Sequence, residues 1–392
     1  MARDVSDRLP RLVIASRGVR QLQEGFPWVW ASFVRSTTPN PPAGVVGLTD
    51  ERGNWLGQGF YNPTSTIRVR FLAATKRPLD DRWLQRQLTL AAALRDGPLG
   101  LLGISCRLVH SESDRLPGIV LDRIGNALVL QTLCAGADTW IDRVYAAAMD
   151  IFRPQAFFLK NTARSRFIEG LEIQQRQLLG PPGPVVYQEN GIEFVTDLLA
   201  DQKTGAFLDQ RDNHRLMGQL AFGKALDLFC YHGGFSLPMA KAGATVTAVD
   251  ASAAAIARLQ ENAERNRLHV NTVLSDAFDF LGNLSETERY DTIVCDPPAL
   301  CPRAEDRKNA LAAYRRLAAG CFAHLKSDGW LMFCSCSAHI SPEALLFALT
   351  RGAHDVGRTF CVHKQVQAGC DHPYHPLIPE SAYLKGFLVR AN

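Results

Sequence analysis

Apolar and polar positions alternate in the first part of the chain. Val45-Val46-Gly47-Leu48-Thr49 and Trp55-Leu56-Gly57-Gln58-Gly59-Phe60-Tyr61 flank a turn at Asp50-Glu51-Arg52-Gly53, and Thr66-Ile67-Arg68-Val69-Arg70-Phe71 changes face at each step. A period of two marks a half-buried strand. Short strands joined by glycine-rich turns predict a small β-barrel over residues 1–75. From residue 80 to 94 the apolar spacing becomes helical, with a stop at Gly97-Pro98. Strands follow at 106–110, 119–123 and 127–131, the last two forming a hairpin around Gly125-Asn126. A helix near 140–151 and a strand near 156–160 complete an α+β middle domain over residues 76–183. Gly180-Pro181-Pro182-Gly183-Pro184 reads as a linker, and Asn190-Gly191 between two apolar runs as a hairpin turn. Strands then alternate with helices: strands at 225–229, 244–249, 270–274, 290–294 and 330–333, helices at 253–267 and 310–325. That order predicts a doubly wound, Rossmann-like α/β domain over residues 184–392.

Composition narrows the class. A chain of 392 residues with 46% hydrophobic content builds two or three domains with sizeable cores. No apolar run has membrane-spanning length, and the start, Met1-Ala2-Arg3-Asp4-Val5-Ser6-Asp7-Arg8, is unlike a secretory signal, so the expected location is cytoplasmic. The ten cysteines form no Cys-x-x-Cys pair, which argues against a zinc ribbon or a disulfide framework. Cys334 and Cys336 would be half of a metal site with no second half, so no metal is expected.

The net charge of +4 permits nucleic-acid binding without requiring it. Arg164, Arg166, Arg315 and Arg316 read singly as solvated surface. Arg303, Arg307 and Lys308 follow Asp296, at the expected mouth of a site, where they could hold RNA phosphates.

The candidate chemistry lies at the ends of the predicted strands, where ligands sit in this architecture. The first strand ends near Asp227-Leu228-Phe229-Cys230, and Tyr231-His232-Gly233-Gly234 gives a tight turn that lets backbone approach a ligand. The spaced glycine fingerprint of dinucleotide enzymes is absent. Asp250 ends the second strand and can accept from both ribose hydroxyls. Asp276 can receive an adenine amine, and Asp296 ends the fourth strand. Four acids and no phosphate-binding lysine loop fit a cationic, phosphate-free adenosine ligand, S-adenosylmethionine. The competing reading is that some of these acids only cap the following helices.

Val294-Cys295-Asp296-Pro297-Pro298 resembles the acidic-Pro-Pro signature that holds a nucleobase beside a methyl donor. An aromatic next would point to an exocyclic amine, but Ala299-Leu300 follow. Phe333-Cys334-Ser335-Cys336-Ser337 brings a thiol to the next strand end. Carbon-5 of a pyrimidine becomes nucleophilic once a thiolate adds to carbon-6, and Asp296 would help protonate the ring. Cys336, nearest the strand end, is the leading nucleophile. Cys334 and Cys301 compete, and Cys230 would neighbour the donor. Cys295 is expected to face the core, and Cys106, Cys134, Cys321 and Cys361 are read as small buried hydrophobes.

These motifs resemble the bacterial large-subunit ribosomal RNA methyltransferase I family, which forms 5-methylcytosine. The likeness runs through Phe26-Pro27-Trp28-Val29-Trp30, the stretch from Asp114 to Arg123, Gln202-Lys203-Thr204-Gly205-Ala206-Phe207-Leu208-Asp209-Gln210-Arg211, Asp227-Leu228-Phe229, Asp296-Pro297-Pro298, Ser335-Cys336-Ser337 and the stretch from His375 to Gly386. The resemblance implies a PUA RNA-binding domain, a mixed middle domain, a class I methyltransferase domain and a homodimer. It favours Cys336 and Asp296 as catalytic, and large-subunit ribosomal RNA as partner. It implies that Gln210 and Arg211 line the donor pocket, beside the strand-end and turn residues Asp227, Phe229, Tyr231, Gly233, Gly234, Asp250, Ala251, Asp276 and Asp296. The family's Lys-Phe after Asp-Pro-Pro is Ala299-Leu300 here, and its Gly after Ser-Cys-Ser is replaced by Ala338-His339. Two alternatives stand beside this reading: methylation of another base or RNA without a covalent adduct, and a non-catalytic RNA-binding assembly factor.

Overall fold

The computed structural model describes residues 9–35, 41–201 and 203–392. The charged start at 1–8 and Gln202 lie outside the described residues. The described chain forms two compact units. One holds the residues up to Val185 with Asp197–Ala206 and Pro373–Ile378, and the other holds Val186–Thr196, Phe207–His372 and Pro379–Asn392.

In the first unit, β1 (Arg11–Ile14), β2 (Trp28–Trp30), β3 (Gly44–Asp50), β4 (Trp55–Tyr61) and β5 (Ile67–Ala73) form a sheet ordered β1-β3-β4-β5-β2. The alternation seen in the sequence puts Leu12, Ile14, Val29, Val46, Leu48, Tyr61 and Val69 into one core. The chain leaving β2 returns to β1 at the far edge. Ala15 N–H donates to the Phe33 carbonyl at 2.8 Å and Arg35 N–H to the Val13 carbonyl at 2.9 Å. These bonds close the sheet on itself and leave no long unpaired edge. The short strands β1 and β2, and the helix Ser16–Gln23 between them, were too brief to register as periodicity.

A second sheet follows, made of β6 (Cys106–His110), β7 (Ile119–Ile124), β8 (Ala127–Thr132), β9 (Ala156–Asn161) and β10 (Gln174–Leu179), in the order β10-β9-β8-β7-β6. Helices Asp81–Asp96 and Ile141–Phe152 pack Leu84, Leu88, Val144 and Ala148 against Leu121, Leu130, Phe157 and Leu159. Asp80 caps the first helix by accepting from Trp83 N–H at 2.9 Å. Arg95, fully buried, forks onto Asp114 at 2.6 and 2.7 Å. Arg166 is not the solvated surface residue its sequence context implied. It is buried, pairs with Asp138 at 2.6 Å and donates to the Thr132 and Glu172 carbonyls.

The hairpin of β11 (Val185–Glu189) and β12 (Ile192–Thr196) turns at Asn190 and Gly191, both at positive φ, the geometry that suits a two-residue connection. In the second unit, β13 (Lys224–Leu228), β14 (Thr245–Asp250), β15 (Val270–Leu274), β16 (Tyr290–Cys295), β17 (Leu325–Ser335), β18 (Phe360–Gln367) and β19 (Lys385–Ala391) form one sheet ordered β15-β14-β13-β16-β17-β19-β18. The first five in that order are parallel, and β19 runs antiparallel to both neighbours. Ile293, Val294 and Cys295 are all fully buried, as expected of a strand covered on both faces. One face meets Tyr314, Leu317 and Leu345, and the other meets Met217 and Met239. The order in which strands are added reverses at β13, with β14 on one side and β16 on the other, so the crevice opens at the ends of β13 and β16. Cys361, expected to be buried, is exposed on the edge strand β18.

Candidate active site

The turn after β13 has unusual backbone. Phe229, Tyr231 and Gly233 all take positive φ, at 64°, 47° and 90°. For the two non-glycine residues this is an uncommon conformation that needs outside support. The support is visible. Cys230 N–H donates to the Val249 carbonyl at 3.1 Å, and Tyr231 N–H donates to Asp250 Oδ2 at 2.9 Å. The Tyr231 ring stacks on His232 with centroids 3.6 Å apart and meets Phe207 edge-on. Gly234 also makes room inside the protein. A Cβ there would sit 2.5 Å from the His214 ring, so the glycine admits a side chain of the protein itself. His214 is held in turn by Glu189 at 2.6 Å.

The four acids do not share one role. Asp227 lies within β13, is 1% exposed and points to the face that carries Val294 and Met332. Its Oδ2 accepts from Ser236 Oγ at 2.5 Å, while its buried Oδ1 has no hydrogen-bond partner. Burial pushes its pKa up to about 7, with Ser236 opposing the shift. Asp250 ends β14, and each of its oxygens takes one backbone donor, from Tyr231 and Ser252. Ala251 beside it is exposed. Asp276 does cap a helix: Oδ1 accepts from Phe278 and Asp279 N–H. The capping alternative therefore holds for Asp276, though Oδ2 remains available in an exposed position. A buried carboxylate oxygen without a donor and carboxylates at two further strand ends fit a cationic adenosine ligand.

Asp296 follows β16 and is half-buried. Gln210, at the start of the helix Arg211–Leu220, donates from Nε2 to Asp296 Oδ2 at 2.9 Å. Arg211 turns away: its guanidinium is buried against Asp371 at 3.0 and 3.1 Å. It ties the segment around Cys370 to the helix start.

The candidate thiols differ sharply in access. Cys334 is fully buried beside Asp296 and Gln210, and burial holds its thiol well above the usual range. Cys301 is 2% exposed, its sulfur lies 3.2 Å from the Arg303 carbonyl, and burial raises it too. Cys295 faces the core, as expected, and Cys230 is buried. Cys336, just past the end of β17, is the half-exposed one of these five, and its Sγ lies 3.9 Å from the Pro297 carbonyl oxygen.

Two further residues around Cys336, Tyr314 and Lys385, were given no role in the sequence. Tyr314 OH bonds with Ser335 Oγ at 2.8 Å and Ser337 Oγ at 3.0 Å. Lys385, at the start of β19, buries its ammonium against the Ser337 and Ile340 carbonyls at 2.6 and 2.9 Å. Lys385 lies in the stretch from His375 to Gly386 that carries the family resemblance, but spacing alone gives it no role. Of the basic residues after Asp296, Arg307 and Lys308 stay exposed. Arg303 pairs with Glu305, Arg315 with Asp355, and Arg316 lies over the Phe278 ring.

A family model described as S-adenosylmethionine-dependent methyltransferase matches residues 181–390, and one described as a PUA-like domain matches residues 12–74. A solved structure of SMU.776 complexed with SAH superposes with a TM-score of 0.81 at 21% identity, over 97% of this chain and 99% of that one. With the reversal at β13 and the donor-fitting carboxylates, these matches make the protein an S-adenosylmethionine-dependent methyltransferase. Ribosomal RNA large subunit methyltransferase I of Shewanella amazonensis is 34% identical over 382 residues, covering 95% of this chain and 96% of its own. The protein of the same name from Klebsiella pneumoniae is 31% identical over 392 residues, covering 97% and 98%. The chain belongs to the ribosomal RNA large subunit methyltransferase I family. Among the described residues no helix is long and apolar enough to cross a membrane, and no cluster of candidate metal ligands occurs.

Proposed function

We propose that the protein methylates carbon-5 of a cytosine in large-subunit ribosomal RNA, with Cys336 as nucleophile and Asp296 as the acid that steadies the ring. The relatives' names support the RNA, and the PUA-like barrel supports an RNA-binding role for residues 1–75. The observation that carries the chemistry is the placement of a half-exposed Cys336 against Pro297, while Cys334 and Cys301 are shut in.

In this reading the target base leaves its stack to enter the pocket. Cys336 Sγ bonds to carbon-6, which breaks the carbon-5–carbon-6 π bond and moves its electron pair toward carbon-5. Asp296, oriented by Gln210, supplies a proton or hydrogen bond at ring nitrogen-3 as that charge develops. S-adenosylmethionine supplies an electrophilic methyl group when bound. Loss of the carbon-5 proton to solvent then re-forms the double bond and expels Cys336 as thiolate, while nitrogen-3 returns its proton to Asp296. Asp250 would hold the ribose hydroxyls and Asp276 the adenine amine. Asp227 would face the cationic end of the donor, with the backbone from Phe229 to Gly234 framing it between Gln210 and Ala251. Arg211 would support that pocket through Asp371. A three-domain division at residues 75 and 183, a homodimer and a cytoplasmic location belong to the same reading.

The test is an RNA fragment of the large subunit carrying 5-fluorocytosine, which traps the adduct because fluorine cannot leave as a proton does. A denaturation-resistant protein–RNA band that vanishes in Cys336→Ser is the expected result. Absence of that band from the unchanged protein, or full methylation by Cys336→Ser, overturns it. Bisulfite mapping of ribosomal RNA from cells with and without the protein locates the nucleotide.

A further inference from the structure

Among the described residues, no acidic side chain is bonded to the buried Lys385. The residue is 5% exposed, and its ammonium bonds to two backbone carbonyls, Ser337 O and Ile340 O. Carbonyl dipoles offset part of the cost of removing an ammonium from water, but not its charge. Burial lowers its pKa to about 8, and the groups that act against that shift are the thiols of Cys336 and Cys301. Tyr314 faces Cys336 from the helix Arg307–His324, and Cys334 lies on β17 toward Asp296. Asp306 and Arg307 act in opposite directions on Cys301.

Two carbonyls on either side of the residues after Cys336 meet at one ammonium. Ser337 N–H donates to Ser335 Oγ, Ser337 Oγ accepts from Cys301 N–H, and Lys385 gathers Ser337 O and Ile340 O. The turn that holds Cys336 at the end of β17 is thus wound around a positive charge. We propose that Lys385 is a positioning residue for the reaction: it fixes this turn and favours the thiolate form of Cys336. The inference deepens the nucleophile reading above and rests on it.

The sign is simple. A fixed cation beside a thiol stabilises the ionised form and lowers the pH at which it appears. The partly desolvated site strengthens the attraction relative to water. Above pH 8 the lysine itself loses its proton, so the advantage is confined to neutral and mildly alkaline pH.

The experiment follows alkylation of Cys336 by iodoacetamide in the full-length protein from pH 6 to 10, read by mass spectrometry of the peptide that carries it. The unchanged protein should show a midpoint at least one unit below the about 8.5 of an ordinary thiol. Lys385→Met should raise the midpoint by about one unit or more, so alkylation at pH 7 slows about tenfold while the rate at pH 10 is kept. Lys385→Arg, which keeps the charge, should hold the midpoint low. An unchanged midpoint in Lys385→Met, or an ordinary midpoint in the unchanged protein, overturns the inference, and the second measurement needs no variant to fold. The two readings separate cleanly. A fluorocytosine adduct with an ordinary thiol midpoint sinks the lysine's role alone, and a low midpoint without an adduct sinks the nucleophile assignment alone.

Discussion

Gln210 Nε2 donates to Asp296 Oδ2 at 2.9 Å, and the amide cannot turn over because Asn213 Nδ2 donates to Gln210 Oε1 at 2.6 Å. Asn213 is itself anchored on the Gln367 carbonyl at 3.1 Å. The acid of the Asp-Pro-Pro motif is therefore aimed by a chain of fixed amides. Gln210→Glu would set a second carboxylate against Asp296, and like charges at that distance cannot both stay ionised. Methyl transfer to RNA at pH 7.5 is expected to fall at least about tenfold and to recover partly as the pH is lowered. Radiolabelled methyl incorporation measures both, and an unchanged rate at pH 7.5 would contradict the orientation role.

Asp227 makes a pH prediction. Its folded pKa of about 7 lies above the ordinary carboxylate value because the charged form is desolvated. A raised pKa means the folded protein holds a proton that the unfolded chain has released. The associated stability is present below about pH 4 and is lost as the pH rises to about 7. Asp227→Asn should flatten that part of the stability–pH curve and raise donor-free stability at pH 8 by at least about 1 kcal/mol, seen by urea unfolding. Donor binding to the unchanged protein should tighten as the pH rises through 7, because a cation favours ionised Asp227. That dependence should be missing from Asp227→Asn in calorimetric titrations.

The three thiols should separate on mutation. Cys336→Ala removes adduct formation altogether. Cys301→Ser should keep methyl transfer within a few-fold, because the buried hydroxyl can still donate to the Arg303 carbonyl. Cys334→Ala should keep the adduct while costing about 1 kcal/mol of stability through lost packing against Val294 and Met332. An adduct that persists in Cys336→Ala and disappears in Cys301→Ser would transfer the role.

In the middle sheet, Asp114→Ala strands the fully buried Arg95 guanidinium. A charge left buried without its partner costs about 3–5 kcal/mol. Replacing the arginine instead, as Arg95→Met, removes the charge and should cost less. Denaturant midpoints of the two variants give the comparison, and equal losses would mean that packing rather than charge sets the value.

The sheet that carries the chemistry was largely readable because its strands are apolar on both faces and its helices are long. The strands from 225 to 294 lie within one or two residues of their predicted places. What escaped had physical reasons. The helix Pro342–Asp355 and strands β18 and β19 lie beyond the last strand predicted from periodicity, at 330–333. The pairing of Gln210 with Asp296 joins residues 86 apart in sequence, and no periodicity reports that. The packing of the His214 ring against Gly234 joins residues 20 apart and has no signal in the sequence. Arg166 looked like surface because a lone arginine among polar neighbours usually is, and only the fold reveals Asp138 opposite it.

Strand β19 lies between β17 and β18, so residues 385–391 fill an interior place in the sheet although they are made after both neighbours. During synthesis the nascent catalytic unit must wait with a gap beside β17, its backbone donors and acceptors there unmet, until this last strand leaves the ribosome. Cys336 gains its lysine neighbour in the same event. A product cut short before residue 385 would carry Cys336 without the strand whose lysine gathers the Ser337 and Ile340 carbonyls.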